Sequence, residues 1–152
     1  MKIKVHTKQV EKHLNTIYSI LDKHGQEIMK EIGDKGKFLI QNRTKRGFDV
    51  NNKEFKRLKN GKRSTLTQTG KMLESIKVQS SNRVVRIYVG KQNRGRITNF
   101  GLATVHNFGR RAGRGKGFKM PKREFFGLND KDWRKLKLLF KKLFYDFLRG
   151  KK

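Results

Sequence analysis

Apolar residues near the start of the chain recur at a helical spacing. Their separations of three, four or seven positions place on one face of an α-helix the residues Val10, Leu14, Ile17, Leu21, Ile28 and Ile32. The spacing predicts a helix from about 8 to 32, with Thr7 as its N-cap and Gly33 as its end. A second helical stretch, through Phe38 and toward Arg46, is expected to follow.

Two more patterns predict a hairpin and a final helix. In the stretch RVVRIYVG, Val85, Ile87 and Val89 alternate with residues of the opposite face, as in a half-buried strand. After Asn129 or Asp130, a 3-4-3-4 spacing predicts a helix whose packing seam contains Trp133, Leu136, Phe140, Leu143 and Phe147. This seam is expected to pack against the hairpin or against a neighbouring subunit.

The expected fold class is therefore α+β. A small antiparallel sheet, made of a hairpin at about 76–90 and a strand near 117–124, would pack with a long N-terminal helix and a C-terminal helix. The length of 152 residues suits one domain, which we expect to span 1–152.

The charge of the chain is strongly unbalanced. There are 40 Lys and Arg against 12 Asp and Glu, a formal net charge of +28. Like charges at this density repel one another in a folded domain, so we expect an anionic partner. Residues 1–40 carry only +3 of the total, so the partner should lie beside the middle and the end of the chain. A coding bias toward Lys is the alternative explanation for individual lysines.

Two basic loops are expected. Residues 41–63 hold nine basic and two acidic residues, and residues 110–119 hold five basic residues among glycines. Glycines let a backbone approach phosphates closely, and phosphate contacts give affinity without reading sequence. We therefore predict contacts with DNA or an acidic partner at Arg110, Arg111, Arg114, Lys116, Lys119, Arg43, Lys45 and Arg46.

The sequence offers little for catalysis. It has no Cys, no phosphate-binding loop motif, and acids too sparse for an obvious two-metal nuclease site. We predict no enzymatic activity, no cofactor and no metal, with a metal-dependent nuclease as a minor alternative. No segment approaches the about 20 apolar residues of a membrane span, and the start lacks the apolar stretch of a signal peptide. We expect neither membrane insertion nor export.

Three short motifs follow one another in a specific order. LTQTGKMLESI precedes the predicted strand, VHNFGRR follows it, and MPKREFFGLND comes just before the final helix. Together they resemble the phage virion morphogenesis family, the tail completion proteins of tailed bacteriophages and prophages. The matching residues are Leu66, Thr69, Gly70, Ser75, His106, Phe108, Gly109, Pro121, Arg123, Phe125, Phe126 and Gly127.

The resemblance implies a structural virion protein rather than an enzyme. Such a protein completes the head-proximal end of the tail, as a terminator, a completion protein or a neck component, and joins the tail to the DNA-filled head. The implied partners are tail-tube and connector or adaptor proteins and other copies in a ring. The basic residues add an expected contact with double-stranded DNA without sequence preference. The implied location is the virion, after assembly in the host cytoplasm.

The motif residues are expected to be structural. Thr69 and Gly70 can start a short helix, and Gly109 permits a turn that is closed to other residues. Pro121 fixes the backbone ahead of two Phe residues that should anchor the loop to the core. A lone His106 without an acidic or thiol neighbour predicts a buried hydrogen bond rather than a general base.

Charge alone favours a second interpretation, a sequence-nonspecific nucleic-acid-binding protein outside the virion. Salt separates the two interpretations. A binder that neutralises several phosphates loses orders of magnitude in DNA affinity between low and moderate salt, whereas assembly onto a tail depends mostly on shape and apolar contact.

Overall fold

A computed structural model describes residues 7–57, 60–62, 64–67, 69–94, 97–113 and 117–150. In chain order its elements are α1 (Thr7–Lys45), α2 (Lys71–Glu74), β1 (Ile76–Ser80), β2 (Val85–Val89), β3 (Asn93–Arg94), β4 (Ile97–Thr98), α3 (Asn99–Phe108), β5 (Arg111–Ala112), β6 (Phe118–Lys119) and α4 (Asp130–Leu148). The predicted α+β class, with a long N-terminal helix, a small antiparallel sheet and a C-terminal helix, is confirmed.

The first helix is one continuous element of 39 residues, so the predicted end at Gly33 is wrong. Gly25, Gly33 and Gly36 are spaced to lie on one face of α1 and are buried against the β1–β2 hairpin and its turn. A β-carbon on Gly33 would lie 2.3 Å from Cγ1 of Val78, and one on Gly25 would lie 2.3 Å from the carbonyl oxygen of Asn82. The glycines therefore allow close helix–sheet contact rather than ending the helix.

The β1–β2 hairpin has the predicted alternation. Ile76 pairs with Val89 and Ser80 with Val85, and the outward residues Lys77 and Arg86 are exposed. One hydrophobic cluster forms around this hairpin, α2 and α3, from Ile40, Phe55, Met72, Leu73, Ile76, Val89, Ala103 and Phe125. A second forms between α1 and α4, from Ile20, Ile28, Ile32, Leu39, Leu136 and Leu143.

The apolar seam of α4 packs mainly against α1, which neither of the two predicted alternatives named; from the hairpin, Val85 also packs against this cluster. Leu136 and Leu143 are buried there, whereas Trp133 is exposed. The two helices run antiparallel, because the start of α4 meets the end of α1 through Asp132 and Arg43. The ring of His24 stacks on Phe147 near the end of α4, with 4.3 Å between ring centroids.

Two sequence-based boundaries need correction. The strand expected near 117–124 is β6, but it pairs with β5 instead of joining the β1–β2 sheet. The basic loop expected at 41–63 starts inside α1, whose last residue is Lys45. After α1 the chain makes a compact turn, in which the carboxylate of Asp49 accepts hydrogen bonds from the backbone N–H groups of Asn51 and Lys53 at 2.8 Å.

Replacing Gly33 by Ala tests the close contact. Ala favours the helix by about 1 kcal/mol, but Cγ atoms of Val78 and Val85 would lie 2.3 and 2.6 Å from the new methyl group. We expect a net loss of about 1–2 kcal/mol in unfolding free energy, measured by urea denaturation. Ser19→Ala, on the exposed face of α1, is the control and should not destabilise. If Val78→Ala fails to recover part of the loss in the Gly33→Ala background, the explanation is wrong.

Candidate functional site

After α3, β5 and β6 pair as two short antiparallel strands, and we call the described residues 110–113 and 117–119 the basic arm. Arg111 pairs with Lys119 and Ala112 with Phe118. Gly113 and Gly117 have φ values of 101° and 53°, in the left-handed region that favours glycine. Arg114 and Lys116, which the sequence placed among the contact residues, lie outside the described residues.

The described part of the basic arm presents cations and aromatic rings to solvent together. Arg110, Arg111 and Lys119 are exposed. Phe118 is 62% exposed and Phe108, at the end of α3, is 60% exposed. The guanidinium of Arg110 lies 5.8 Å from the centroid of the Phe108 ring, a cation–π arrangement. Large exposed aromatic rings in a polar setting are typical of a contact surface.

A groove lies at the foot of the basic arm. It has a volume of about 400 Å³ and three of its lining residues are Lys56, Lys119 and Lys122. Its apolar lining includes Phe108 and Pro121. The groove extends the positive surface of the basic arm back toward the turn that follows α1.

The basic arm is fixed to α3 by backbone hydrogen bonds and by Gly109. This residue caps α3 in the left-handed region, with φ 65°. A β-carbon there would meet both the backbone nitrogen and Cβ of Lys122 at 3.0 Å. The N–H of Met120 donates to the carbonyl of Arg110 at 3.2 Å, and the N–H of Arg123 donates to the carbonyl of His106 at 2.8 Å.

The segment after Pro121 is the anchor that the sequence predicted. Phe125 is fully buried in the first hydrophobic cluster, and its ring meets that of Phe126 edge to face at 6.1 Å. The N–H of Phe126 donates to the side-chain oxygen of Asn107 at 3.0 Å, which ties this segment to α3. Sequence reasoning missed Asn107, because an Asn in a helix carries no signal of which distant backbone group it will bind.

Behind the basic arm lie a half-buried histidine, His106, and a buried arginine, Arg123. Burial, together with the positive charge of Arg123, lowers the pKa of His106 from 6.5 to about 4. Burial also lowers the pKa of Arg123. The expected buried hydrogen bond of the His106 ring is not found at Nδ1, which has no partner in the described part of the chain, and the same holds for Nε of Arg123.

The lowered pKa of His106 predicts a pH dependence of stability. Between about pH 4 and 6.5 the ring is neutral in the folded protein and protonated in the unfolded chain, so the unfolded state binds more protons. Stability should therefore fall as the pH drops through this window, by at most about 1.4 kcal/mol per pH unit from this group. His106→Gln should flatten the slope in urea titrations at several pH values, whereas His13→Gln, at an exposed position, should leave it unchanged.

Arg43 is not a surface residue, in contrast to its predicted role as a contact with DNA or an acidic partner. It is 5% exposed, and its guanidinium forms an ion pair with the carboxylate of Asp132. The same guanidinium donates to the carbonyl of Phe125 at 3.3 Å and to that of Gly127. Arg43 thereby joins the end of α1, the anchor segment and the start of α4.

The other two cations of this region are exposed, as expected for contact residues. Lys45 ends α1 and Arg46 follows it, with the guanidinium of Arg46 5.7 Å from the centroid of the Phe48 ring. Asp132 is a partner that sequence reasoning missed. Its spacing from Asn129 is that of a capping box, and both hydrogen bonds of the box are present.

Removing Arg43 should strongly destabilise the protein. Arg43→Met leaves Asp132 buried without its cation, and we expect a loss of about 3–5 kcal/mol in unfolding free energy by urea denaturation. Arg46→Met, at an exposed position one turn away, should cost less than about 1 kcal/mol. Adding Asp132→Asn to Arg43→Met removes the stranded charge and should recover part of the loss. Equal losses for the two Arg variants would contradict this role.

The first family motif is also structural. Gly70 precedes α2 with φ 69°, and Thr69 lies just before it, as predicted. The hydroxyl of Ser75, which is buried, donates to the carbonyl of Met72 at 2.7 Å. Leu66 adopts φ 54° and packs against the first hydrophobic cluster. These residues hold α2 under the β1–β2 hairpin.

The described residues offer little for metal binding or membrane insertion. They contain no group of three or more His, Cys, Asp or Glu side chains that could hold a metal ion. Within the described ranges, no helix combines the length with the apolar composition that a membrane span requires.

Comparison with known proteins identifies the family of the chain. Neither the curated proteins nor the solved structures give a match. The model of the phage virion morphogenesis family matches residues 5–143, which include the basic arm, the anchor segment and most of α4. This family indicates a structural rather than a catalytic role. Because the match covers most of the chain, the protein belongs to the phage virion morphogenesis family.

Proposed function

We propose that this virion protein completes the head-proximal end of the phage tail, and that its basic arm contacts double-stranded DNA there. The observation that carries the proposal is a hairpin with exposed cations and aromatic rings, fixed to the protein core at its base. A fixed arm can reach a partner without the entropic cost of ordering a loose loop.

The charge distribution favours DNA over an acidic protein as the partner of the basic arm. The cations of this surface are spread out and do not form one compact pocket. They lie on the basic arm, in the lysine-lined groove at its foot, and at the exposed Lys45 and Arg46. Within the groove, Lys122 forms an ion pair with Glu124 at 2.7 Å, which leaves Lys56 and Lys119 as the groove cations offered to phosphate. A regular row of phosphates matches dispersed cations, and Arg suits phosphate through its planar fork of donors.

A ring of such subunits around DNA would explain the high positive charge of the protein. In a ring around the channel, the +28 charge of each copy would repel its neighbours unless an anion lay between them. Double-stranded DNA at the junction of head and tail would supply that anion. In this proposal the other partners are tail-tube and connector or adaptor proteins, and the protein enters the virion after assembly in the host cytoplasm.

Neutralising the basic arm tests the proposed DNA contact. The triple variant Arg110→Gln, Arg111→Gln and Lys119→Gln removes three charges from the arm. Its matched control, Lys135→Gln, Lys137→Gln and Lys142→Gln, removes three exposed charges from α4. Duplex affinity is measured by fluorescence anisotropy at several salt concentrations. The arm variant should lower the slope of log affinity against log salt by about 0.9 per lost phosphate contact, whereas the control should change it less.

The same two variants separate the proposal from its alternative. Supplied in place of the wild-type protein during phage production, the arm variant should reduce the yield of infectious particles and the control should not. If the arm variant lost DNA affinity but left particle yield unchanged, a nucleic-acid-binding role outside the virion would explain the arm better. If both variants kept the wild-type slope and yield, the basic arm would have no role in DNA contact.

A further inference from the structure

An apolar groove lies between the start of α1 and the end of α4. It has a volume of about 690 Å³. Its apolar lining consists of Ile17 on α1 and of Phe140, Phe144, Tyr145 and Leu148 on α4. The rings of Phe140 and Phe144 are stacked with 6.0 Å between their centroids, and Tyr145 and Leu148 are 56% and 42% exposed. A contiguous apolar surface of this kind is typical of a site that binds another molecule.

Both walls of the groove carry positive charge. The charged residues that line it are Lys12 on α1 and Lys141 on α4, and no acidic side chain is among the lining residues. Both lysines are exposed, and neither forms an ion pair with another residue that the structure describes. The exposed Arg134 and Lys137 lie seven and four positions before Lys141, so they continue its row of cations along α4. A molecule in the groove therefore meets positive charge on both sides.

This charge disfavours the occupants that the chain itself could supply. A second copy would bring the same two basic walls and a net charge of +28 to a groove that is already basic. The first six residues, MKIKVH, contain two Lys and no acid. Duplex DNA matches the cations, but its phosphates gain nothing from the apolar floor. The occupant must combine apolar side chains with negative charge.

The dimensions of the groove fit a helix. Its lining runs over residues 9–17 of α1 and residues 140–148 of α4. Each wall is therefore about 12 Å long at the helical rise of about 1.5 Å per residue. Apolar residues at positions i, i+3 or i+4, and i+7 of a third helix span about 10.5 Å, so one such stripe matches the floor. A helix bound in a groove through these positions is a common mode of protein recognition.

We propose that the groove binds an acidic amphipathic helix of another virion protein. The apolar stripe of that helix packs on the aromatic floor, and acidic residues on its two flanks pair with Lys12 on one wall and Lys141 on the other. The inference goes beyond the proposed function, because it uses no residue of the basic arm and requires only that the protein is part of the virion. The two basic surfaces then have different partners, DNA for the arm and protein for the groove.

Peptide binding to the purified protein tests the chemistry of the groove. The probe is a fluorescent helical peptide with Leu at i, i+3 and i+7 and Glu on both flanks of this stripe. One matched peptide has Lys in place of every Glu, and another keeps the Glu residues but has Ser in place of every Leu. Fluorescence anisotropy is measured at moderate salt, which screens the general attraction between acids and a basic protein. The Leu–Glu peptide should bind on the order of 10-fold more tightly than either matched peptide.

Charge reversal on the two walls should exchange this preference. The variant Lys12→Glu with Lys141→Glu should bind the Leu–Glu peptide on the order of 10-fold more weakly and the Leu–Lys peptide more tightly than the wild type does. A gain in affinity for the second peptide cannot result from unfolding. The control, Lys135→Glu with Lys142→Glu, makes the same charge change at exposed positions that do not line the groove and should keep the wild-type preference.

Photo-cross-linking in phage-producing cells identifies the partner. A photoreactive phenylalanine analogue replaces Tyr145 in the groove or, as a control, Val84, which is 51% exposed and lies outside it. Cross-linked peptides from purified particles are identified by mass spectrometry. The analogue at position 145 should cross-link to a segment of a different virion protein that has apolar residues at helical spacing and an excess of acids. The wall variant Lys12→Glu with Lys141→Glu should reduce this product, and the control position should not give it.

Several results would overturn the inference. They are a cross-link from position 145 to a second copy, to DNA or to a segment without an excess of acids, and a yield no higher than that of the control position. Equal affinity for the Leu–Glu and Ser–Glu peptides would also overturn it. The arm variant Arg110→Gln, Arg111→Gln and Lys119→Gln keeps the groove and should bind the Leu–Glu peptide like the wild type. Loss of DNA contact with retained peptide binding would thus count against the proposed function alone.

Discussion

The rest of the structure depends on the ion pair and the hydrogen bonds that the buried guanidinium of Arg43 forms. It pairs with Asp132 and donates to the carbonyls of Phe125 and Gly127. A buried cation is costly unless it is paired and hydrogen-bonded, so these partners must be brought together for the chain to fold. Asp132 also completes the cap of α4, and one ion pair thus fixes where α1 ends, where α4 begins and where the segment between the basic arm and α4 must lie.

The geometry of the basic arm follows from that arrangement. Phe125 is held in the core, and Arg123 and Phe126 bond to His106 and Asn107 of α3, so both ends of the arm are attached to the same helix. Rigid support at the base lets a short hairpin hold exposed cations close together despite their repulsion. The basic arm thereby presents Arg110, Arg111 and Lys119 together at the surface.

The sequence predicted the secondary-structure elements better than the contacts between them. The helical spacing correctly predicted that α1 and α4 are helices, because helical spacing is a local property. Which members of each apolar stripe are buried depends on distant residues, and Leu14 and Trp133 are exposed. The predicted helix end at Gly33 is wrong, because a glycine that stops a helix and one that admits a neighbouring hairpin have the same appearance in the sequence. Arg43 was placed with the surface cations for the same reason. Its burial depends on Asp132, which is 89 positions away. The anchor residues around Pro121 were found because the family motif marked them.

The central claim is that the protein is a component of the virion and not a free nucleic-acid-binding protein. The most direct measurement is to follow it by mass spectrometry across a density gradient of a phage-producing lysate, after nuclease treatment at moderate salt. We predict that it sediments with tails or whole virions, at a small and constant number of copies per particle. Sedimentation with ribosomes or free nucleic acid, together with its absence from particles, would contradict the account.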